Sequence, residues 1–583
     1  MFQLVSLLWQ LPKEYRKTRA KPLRRWVIRN WCLGIFLIKN LPTFVAMKAT
    51  FRYVIIVLFS IVLFSNCAKR GNPSGGPKDS IPPIIVRSTP ENFTTQFTGD
   101  EIRIYFDEYI KLKDIQQNLI ISPPLKYAPV ITPLSTSKVL KIKIIDTLKE
   151  NTTYSFNFGK SIVDNNEENE FEYYKYIFST GNYIDSLTVT GKVKDAYLAK
   201  PDKPTTILLY ERTESFTDSI IYSEKPTYIT TTRDSTQQFK LSNLKEGNYL
   251  LIALQEEVNN YIFEPKKDKI GFIDEVVSTP NDSSYILTLF KEIPAYKIAR
   301  PSHVSKHKII FGYEGDATQL ELEPLTELPS DFSYTTYWDS KSDTLNYFFK
   351  PAFDLEQTDT LLYLAKNRLI EDTLIVKMKD LFADSLQIDK LGSTIVVPND
   401  TLQLQANNPI VGIDAEKISI MDKDSVSIAF TTSLDKKYNL ANIVYPKTEA
   451  QQYRIELLPN AITDFFENTN DTLNFGARTL ELSDYGELGM KLLNVKQYPI
   501  LVELVGSKYE VVASKYLTQA EDLYFNYVSP DQYYFRIIYD ANQNGIWDTG
   551  NFLTRLQAEE VVYFPKKIDI RSNFFINETF NLE

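Results

Sequence analysis

Residues 101–110 read EIRIYFDEYI, and residues 401–410 read TLQLQANNPI. In the first stretch Ile102, Ile104 and Phe106 alternate with polar residues, and in the second Leu402, Leu404 and Ala406 do the same. A period of two puts alternate side chains on one face, so each stretch reads as a half-buried strand. The register continues at an offset of 300 through Asp107/Asn407, Ile110/Ile410, Asp114/Asp414 and Ile120/Ile420. It reappears at Ile162/Ile462, Asp164/Asp464 and Glu167/Glu467, with Tyr154 matching Tyr453 after a one-residue slip. A match sustained this far is a repeat: the chain carries the module twice.

Outward from these strands, further short alternating runs follow, such as Leu140/Ile142/Ile144 and Tyr154/Phe156/Phe158, with Asn, Asp and Gly between them. Strands spaced about 8–12 residues apart by turn residues predict a sandwich of two sheets. The first copy closes at Phe178-Ser179-Thr180-Gly181 and the second at Phe475-Gly476-Ala477. Together these residues resemble the bacterial Ig-like domain of surface-layer (SbsA) type, also found in Bacteroidota envelope proteins. That resemblance implies an Ig-like sandwich over 83–181 and again over 386–478.

A different module follows each copy. LTVTGKVKDA near residue 191 leads to TTILLYE (205–211) and FKLSNLKEGNYLLIAL (239–254). Later, GELGMKLLN leads to YPILVELV (498–505) and FNYVSPDQYYFRIIYD (525–540). Two strands, a turn and a long strand after Tyr249 or Tyr533 resemble the prealbumin-like sandwich of carboxypeptidase regulatory domains, implied here for 186–293 and 480–583. Residues 295–385 hold further strands (HKIIFGY, TLLYLA, DTLIVKM) with no family resemblance. The expected architecture is all-β, with five sandwich modules in a row. An Asp-Thr-Leu punctuation at 146–148, 343–345, 359–361, 372–374 and 400–402 fits turns closed by an aspartate side chain before a strand.

Composition agrees. A chain of 583 residues exceeds one hydrophobic core, and roughly 150 residues per domain predicts several. It holds 36 Tyr and 35 Phe against 2 His and 2 Cys, a balance that favours packed strands over metal or nucleophilic chemistry. Of 65 Lys and Arg, 11 fall in residues 1–66, against one acidic residue there (Glu14); the remainder carries a net charge of −19. So acidic a body argues against nucleic acid as a partner.

The basic start has its own reading. Met47 opens an export signal: Lys48 and Arg52, then twelve apolar or small residues from Tyr53 to Phe64, then Ser65-Asn66-Cys67. Twelve residues suit a signal-peptide core and fall short of the ~20 that span a bilayer. The segment resembles a bacterial lipobox, departing from it at Phe64 and Asn66. The resemblance implies cleavage before Cys67, which would carry diacyl lipid, and residues 1–66 as leader with Met47 as the true start; an inner-membrane anchor formed by 1–46 is the alternative. Cys67 is then the sole cysteine of the mature chain, so no internal disulfide forms. Residues 67–82, rich in Gly and Pro, read as a tether. Lys69 and Arg70 stand where surface-exposed Bacteroidota lipoproteins usually carry an acidic cluster, which favours the periplasmic face of the outer membrane.

Residues 540–551 (DANQNGIWDTGN) carry the one motif with site chemistry. Asp540, Asn542, Asn544 and Asp548 place oxygen side chains at loop positions 1, 3, 5 and 9, with a glycine at 6 and the Ile546 carbonyl at 7, as a structural calcium loop requires. Asn551 replaces the usual twelfth-position glutamate, and an ion-free turn is the competing reading. In the earlier copy Glu256, Val258, Asn260 and Glu264 take the corresponding places and Tyr261 replaces the glycine, which predicts that the tight turn is lost there. His303 and His307 read as solvated linker residues. No HExxH, Walker or GxSxG motif occurs. The functional expectation is a non-enzymatic outer-membrane lipoprotein, a scaffold or accessory subunit of an envelope complex whose partners are other outer-membrane proteins. A glycan-binding lipoprotein is the alternative.

Overall fold

A computed structural model describes residues 79–232, 236–353 and 359–583. The leader, Cys67 and residues 67–78 of the tether lie outside the described residues. The chain divides into Met1–Asp79 and Ser80–Glu583, and the sandwich modules all belong to the second unit.

Every sheet draws its strands from one of five stretches; four of these form two facing sheets each, and in the fourth stretch one layer is divided into two smaller sheets. In the first module Ile85–Thr89, Glu101–Leu112, Ser137–Lys143 and Val130–Thr132 lie in that order. Ile120–Ser122, Thr153–Asn157 and Lys175–Ser179 form the opposite layer. Ile102 pairs with Ile142 and Ile104 with Leu140, and these side chains meet Phe156 and Phe178 in the core. The pairing shifts between Tyr105 and Ile110, so the end of the long strand turns to a new partner, Ile162–Asp164.

The fourth module repeats this order strand for strand. Ile110 faces Asp164 and Ile410 faces Asp464, as the offset of 300 predicts. Two details differ. Asn407-Asn408-Pro409 splits the long strand into Leu402–Ala406 and Ile410–Ile413, because proline has no N–H for the ladder. Buried Asn439 bridges the break: its Oδ1 accepts the Ile410 N–H at 2.7 Å, and its Nδ2 donates to the Ala406 and Asn408 carbonyls, each at 2.9 Å. The helix Ile115–Asn118 also becomes a shorter 3₁₀ turn, Ala415–Lys417. That removes one residue, so Ile420 matches Ile121 instead of Ile120. By the same slip Ala477 takes the place of Phe178 beside the tyrosine that both copies share, and the closing residue common to both is Thr180/Thr479. The equivalents of Phe178-Ser179-Thr180 are thus Ala477-Arg478-Thr479, two residues on from Phe475-Gly476-Ala477.

The second and fifth modules share another order. Tyr228–Thr231, Thr206–Glu211, Gly247–Gln255 and Lys269–Phe272 match Val511–Leu517, Ile500–Val505, Asp531–Tyr539 and Val561–Tyr563. In each facing sheet the last strand runs parallel to its neighbour. Tyr249 and Tyr533 both donate their hydroxyl to the carbonyl four residues back, at 3.0 Å to Lys245 and 2.8 Å to Ser529.

The third stretch, without a family resemblance, is a sandwich too, closed over Phe311, Tyr347 and Tyr363. Its histidines are not solvated linker residues. His303 lies in the strand Ser302–Ser305 at 3% exposure, and its Nδ1 accepts the Lys379 N–H at 3.1 Å. The His307 ring centroid lies 4.9 Å from that of Phe466. Burial holds the pKa of each imidazole below its ordinary value.

The modules do not simply follow one another in a row: the fifth packs on the outer face of the second. Leu208, Tyr210, Leu250, Ile252 and Leu254 lie on that face in one buried cluster with Phe552.

Candidate functional site

The loop after strand Asp531–Tyr539 joins these two modules. Asp540 is buried at the strand end. Its Oδ2 accepts the Gly545 N–H and the Tyr516 hydroxyl, each at 2.8 Å, and its Oδ1 accepts the Asn544 N–H at 3.2 Å. Burial works against the charge, but these donors outweigh it and hold the carboxyl below its usual pKa. Gly545 has φ of 79°, the left-handed region that glycine enters without strain.

Asp548 closes the other side, its Oδ2 accepting the amide groups of Asn542 at 2.6 Å and Asn544 at 2.7 Å. The amide oxygens are engaged elsewhere: that of Asn542 accepts the Asn544 N–H, and that of Asn544 accepts the N–H of exposed Ile546. The structure thus gathers Asp540, Asn542, Asn544 and Asp548 at one loop, joined by hydrogen bonds that satisfy one another. A cation between them would compete with those bonds for the Asp548 carboxylate. Among the described residues no group of three His, Cys, Asp or Glu side chains is placed to hold a metal ion.

One residue escaped the sequence reading. Glu559 accepts the Ala541 N–H at 2.7 Å and the Asp548 N–H at 3.1 Å, clamping the loop from eleven residues downstream of Asp548.

The earlier loop is built the same way. Glu256 accepts the N–H groups of Asn260 and Tyr261, each at 2.9 Å, as Asp540 does for Asn544 and Gly545. Asp268 accepts the N–H groups of Glu257 and Glu264, as Glu559 does in the later copy. The tight turn is kept, with Tyr261 itself at φ 63°. A non-glycine residue there costs about 1–2 kcal/mol, and Tyr261 offsets it by packing against the interface cluster. The tight turn expected to be lost in the earlier copy is therefore present.

From this loop the chain runs across the second module. The Phe552 ring sits 5.3 Å from that of Phe272, and its N–H donates to buried Glu292 at 2.6 Å. Gly550 permits the approach, since a Cβ there would meet the Phe290 ring at 2.7 Å. Thr549 Oγ1 donates to the Lys291 carbonyl at 2.7 Å, and Arg555 pairs with Asp218 at 2.5 Å.

The polar centre of the interface is Arg536, whose side chain is 0% exposed. Nε donates to Glu503 at 2.6 Å, and one terminal nitrogen donates to the Tyr197 carbonyl and the Tyr563 hydroxyl, each at 2.9 Å. The guanidinium lies 3.8 Å from the Tyr197 ring centroid, and the Tyr563 hydroxyl donates to the same Tyr197 carbonyl at 2.6 Å. Beside it opens a cleft of about 1450 Å³ between the second and fifth modules, walled by Lys192, Lys194, Lys203, Phe272 and Tyr563.

Several solved structures resemble parts of the chain. Domains 1–6 of the surface layer protein SbsC are 11% identical, with 84% of this chain and 67% of that chain covered and a TM-score of 0.15. BcpA, the major pilin subunit of Bacillus cereus, is 8% identical over 68% of this chain and 99% of that one, with a TM-score of 0.13. A Salmonella alpha-2-macroglobulin is 8% identical over 83% and 42%, with a TM-score of 0.13. No curated protein sequence matches the chain. At the level of single domains the outcome is sharper: residues 79–180 match the bacterial Ig-like domain family, so the first module of this all-β chain is similar to that domain.

Proposed function

We propose that the chain is a non-enzymatic outer-membrane lipoprotein, held by lipid at Cys67 on the periplasmic face, that acts as a scaffold for other outer-membrane proteins. The observation that carries the scaffold reading is the packing of the fifth module on the second through Arg536 and Phe552. A spacer needs only linkers between modules, whereas a scaffold must hold its surfaces at fixed positions, and buried polar anchors do that. The match of the first module to a bacterial Ig-like domain supports a place in the cell envelope. Attachment rests on the sequence around Cys67.

Two measurements test the reading. Cys67→Ser should abolish labelling by a palmitate analogue and move the chain from the membrane to the soluble fraction; an unchanged distribution would sink the anchor. Affinity purification of the lipidated chain from detergent-extracted membranes should bring down a stoichiometric outer-membrane protein, and recovery of the chain alone would sink the scaffold.

For the loop at 540–548 the reading is a hydrogen-bonded brace for the interface, with structural calcium as the rival. Asp540→Ala should lower the melting temperature by several degrees, equally in calcium and in chelator. A loss confined to calcium-containing buffer would establish the ion instead.

A further inference from the structure

A second cleft, of about 530 Å³, opens where the third module meets the fourth, and three aromatic rings line it: Tyr313, Trp338 and Tyr438. None is fully buried, and the Tyr313 and Trp338 rings stand nearly perpendicular, 5.4 Å apart. Tyr313 sits close enough to Asp343, Tyr438 and Asp339 that, after burial, their charges add to the upward shift of its phenol.

The walls are built in advance. Asp339 fixes the turn after strand Ser333–Trp338 by accepting the N–H groups of Lys341 at 2.7 Å and Ser342 at 3.1 Å. Asp316 accepts both the N–H and the hydroxyl of Thr318, at 2.9 and 2.7 Å, and pairs with Arg368. Asp435 accepts the N–H groups of Lys437 and Tyr438, which sets Tyr438 at its turn. The Trp338 N–H donates to the Lys437 carbonyl at 2.8 Å and ties the two modules together at the cleft floor. Gly315 has φ of 74°, and a Cβ there would lie 2.3 Å from the Pro294 carbonyl oxygen, so this wall admits glycine alone.

The lining selects a ligand class. Ala317 is the single aliphatic side chain among the lining residues, so an apolar peptide segment would find few partners. Three carboxylates (Asp316, Asp339, Asp343) face Lys341, Lys437 and the Arg368 partner of Asp316, so local charge balances and favours an uncharged ligand. Aromatic rings beside carboxylates, ammonium groups and serine hydroxyls, with the Lys437 Nζ 5.0 Å from the Tyr438 ring centroid on one side of that ring, suit a molecule with C–H faces and many hydroxyls. Pockets of 300–1,000 Å³ between domains are the usual size for such ligands.

We infer that this cleft binds a short neutral saccharide, with Tyr438 and Trp338 as stacking surfaces and Asp343 as a hydroxyl acceptor. Saccharide binding here depends on neither the lipid anchor nor the scaffold role.

The test titrates the full chain in detergent with cellotriose, chitotriose and maltotriose by calorimetry, and with tetramethylammonium chloride as a cationic probe. At least one trisaccharide should saturate at millimolar concentration or below. Tyr438→Ala should weaken it about tenfold, the effect of losing roughly 1.4 kcal/mol of ring contact. Tyr438→Phe should retain binding, and Asp343→Ala, at an exposed hairpin tip, should weaken it without altering the melting temperature. Saturation by none of the three sugars, wild-type affinity retained in both the Tyr438→Ala and Asp343→Ala variants, or saturation by tetramethylammonium alone would each overturn the assignment.

Discussion

Replacing Arg536 with Ala should release the fifth module from the second and lower stability by about 3–5 kcal/mol, the range for breaking a buried ion pair from one side. The reason is what remains. Glu503, directly across the sheet from Arg536 and itself buried, would be left without its cation. The Tyr197 carbonyl would lose one donor and the Tyr197 ring its cation. Removing both charges as Glu503→Gln with Arg536→Met should cost less than the single change, because no uncompensated carboxylate survives. Hydrogen exchange is the direct readout: strands Thr206–Glu211 and Gly247–Gln255 of the second module should lose protection in Arg536→Ala although no residue of theirs has changed. Protection that stays at the wild-type level would show that the modules hold together without this anchor.

That anchor is partly legible in the sequence. An outward sheet face normally alternates, yet residues 207–210 read ILLY and 250–254 read LLIAL. A strand that is apolar on both faces is covered on both faces. The matching strands of the fifth module, ILVELV and YFRIIY, are apolar apart from Glu503 and Arg536. Single opposite charges inside two such runs point to a buried pair, and the register makes them partners. The sequence could not say that the covering element was the fifth module, because that contact spans more than 300 residues and has no local pattern.

The repeats were readable because period-two alternation survives any drift in side-chain identity, and both sandwich orders recur intact. Where the reading slipped, at Ile120/Ile420 and at the closing motif, the cause was one residue absorbed by trading a helical turn for a 3₁₀ turn. Asn439 and Glu559 stayed hidden for another reason: each serves backbone groups far away in sequence, and nothing about a lone Asn or Glu announces that. The Asp540 loop was found by its spacing, but spacing gives the donors without their orientation. The structure turns the amide NH2 groups of Asn542 and Asn544 toward Asp548.

Asp164 is the position where the repeat and its chemistry meet, and Asp164→Ala should destabilise the first module by about 2–4 kcal/mol. Its Oδ1 accepts the N–H groups of Asn166, Glu167 and Glu168 at 2.8, 2.7 and 3.2 Å, and its Oδ2 accepts that of Asn169 at 2.7 Å. One side chain thus folds the loop that returns the chain from Ile162–Asp164, and Glu168 takes φ 62° to complete it. Asp464 does part of the same work, accepting the N–H groups of Phe466 and Asn468, but its second oxygen meets the side-chain amides of Asn408 and Asn468. Asparagine should therefore be tolerated better at 464 than at 164. At 464 the facing amides can rotate; at 164 the new NH2 group would confront the fixed Asn169 N–H. The pH dependence separates charge from shape. Burial opposes ionisation of Asp164, yet the four N–H donors win and depress its pKa below the ordinary 3.8. Stabilisation from a depressed carboxyl is complete above the unfolded-state pKa and fades as pH falls through the folded one. The wild-type first module should lose stability below about pH 4, and Asp164→Asn, already weaker at neutral pH, should lose less over the same interval. Denaturant melts of the first module at pH 7 and pH 3 measure the difference, and parallel losses in the two proteins would show that the Asp164 charge contributes nothing.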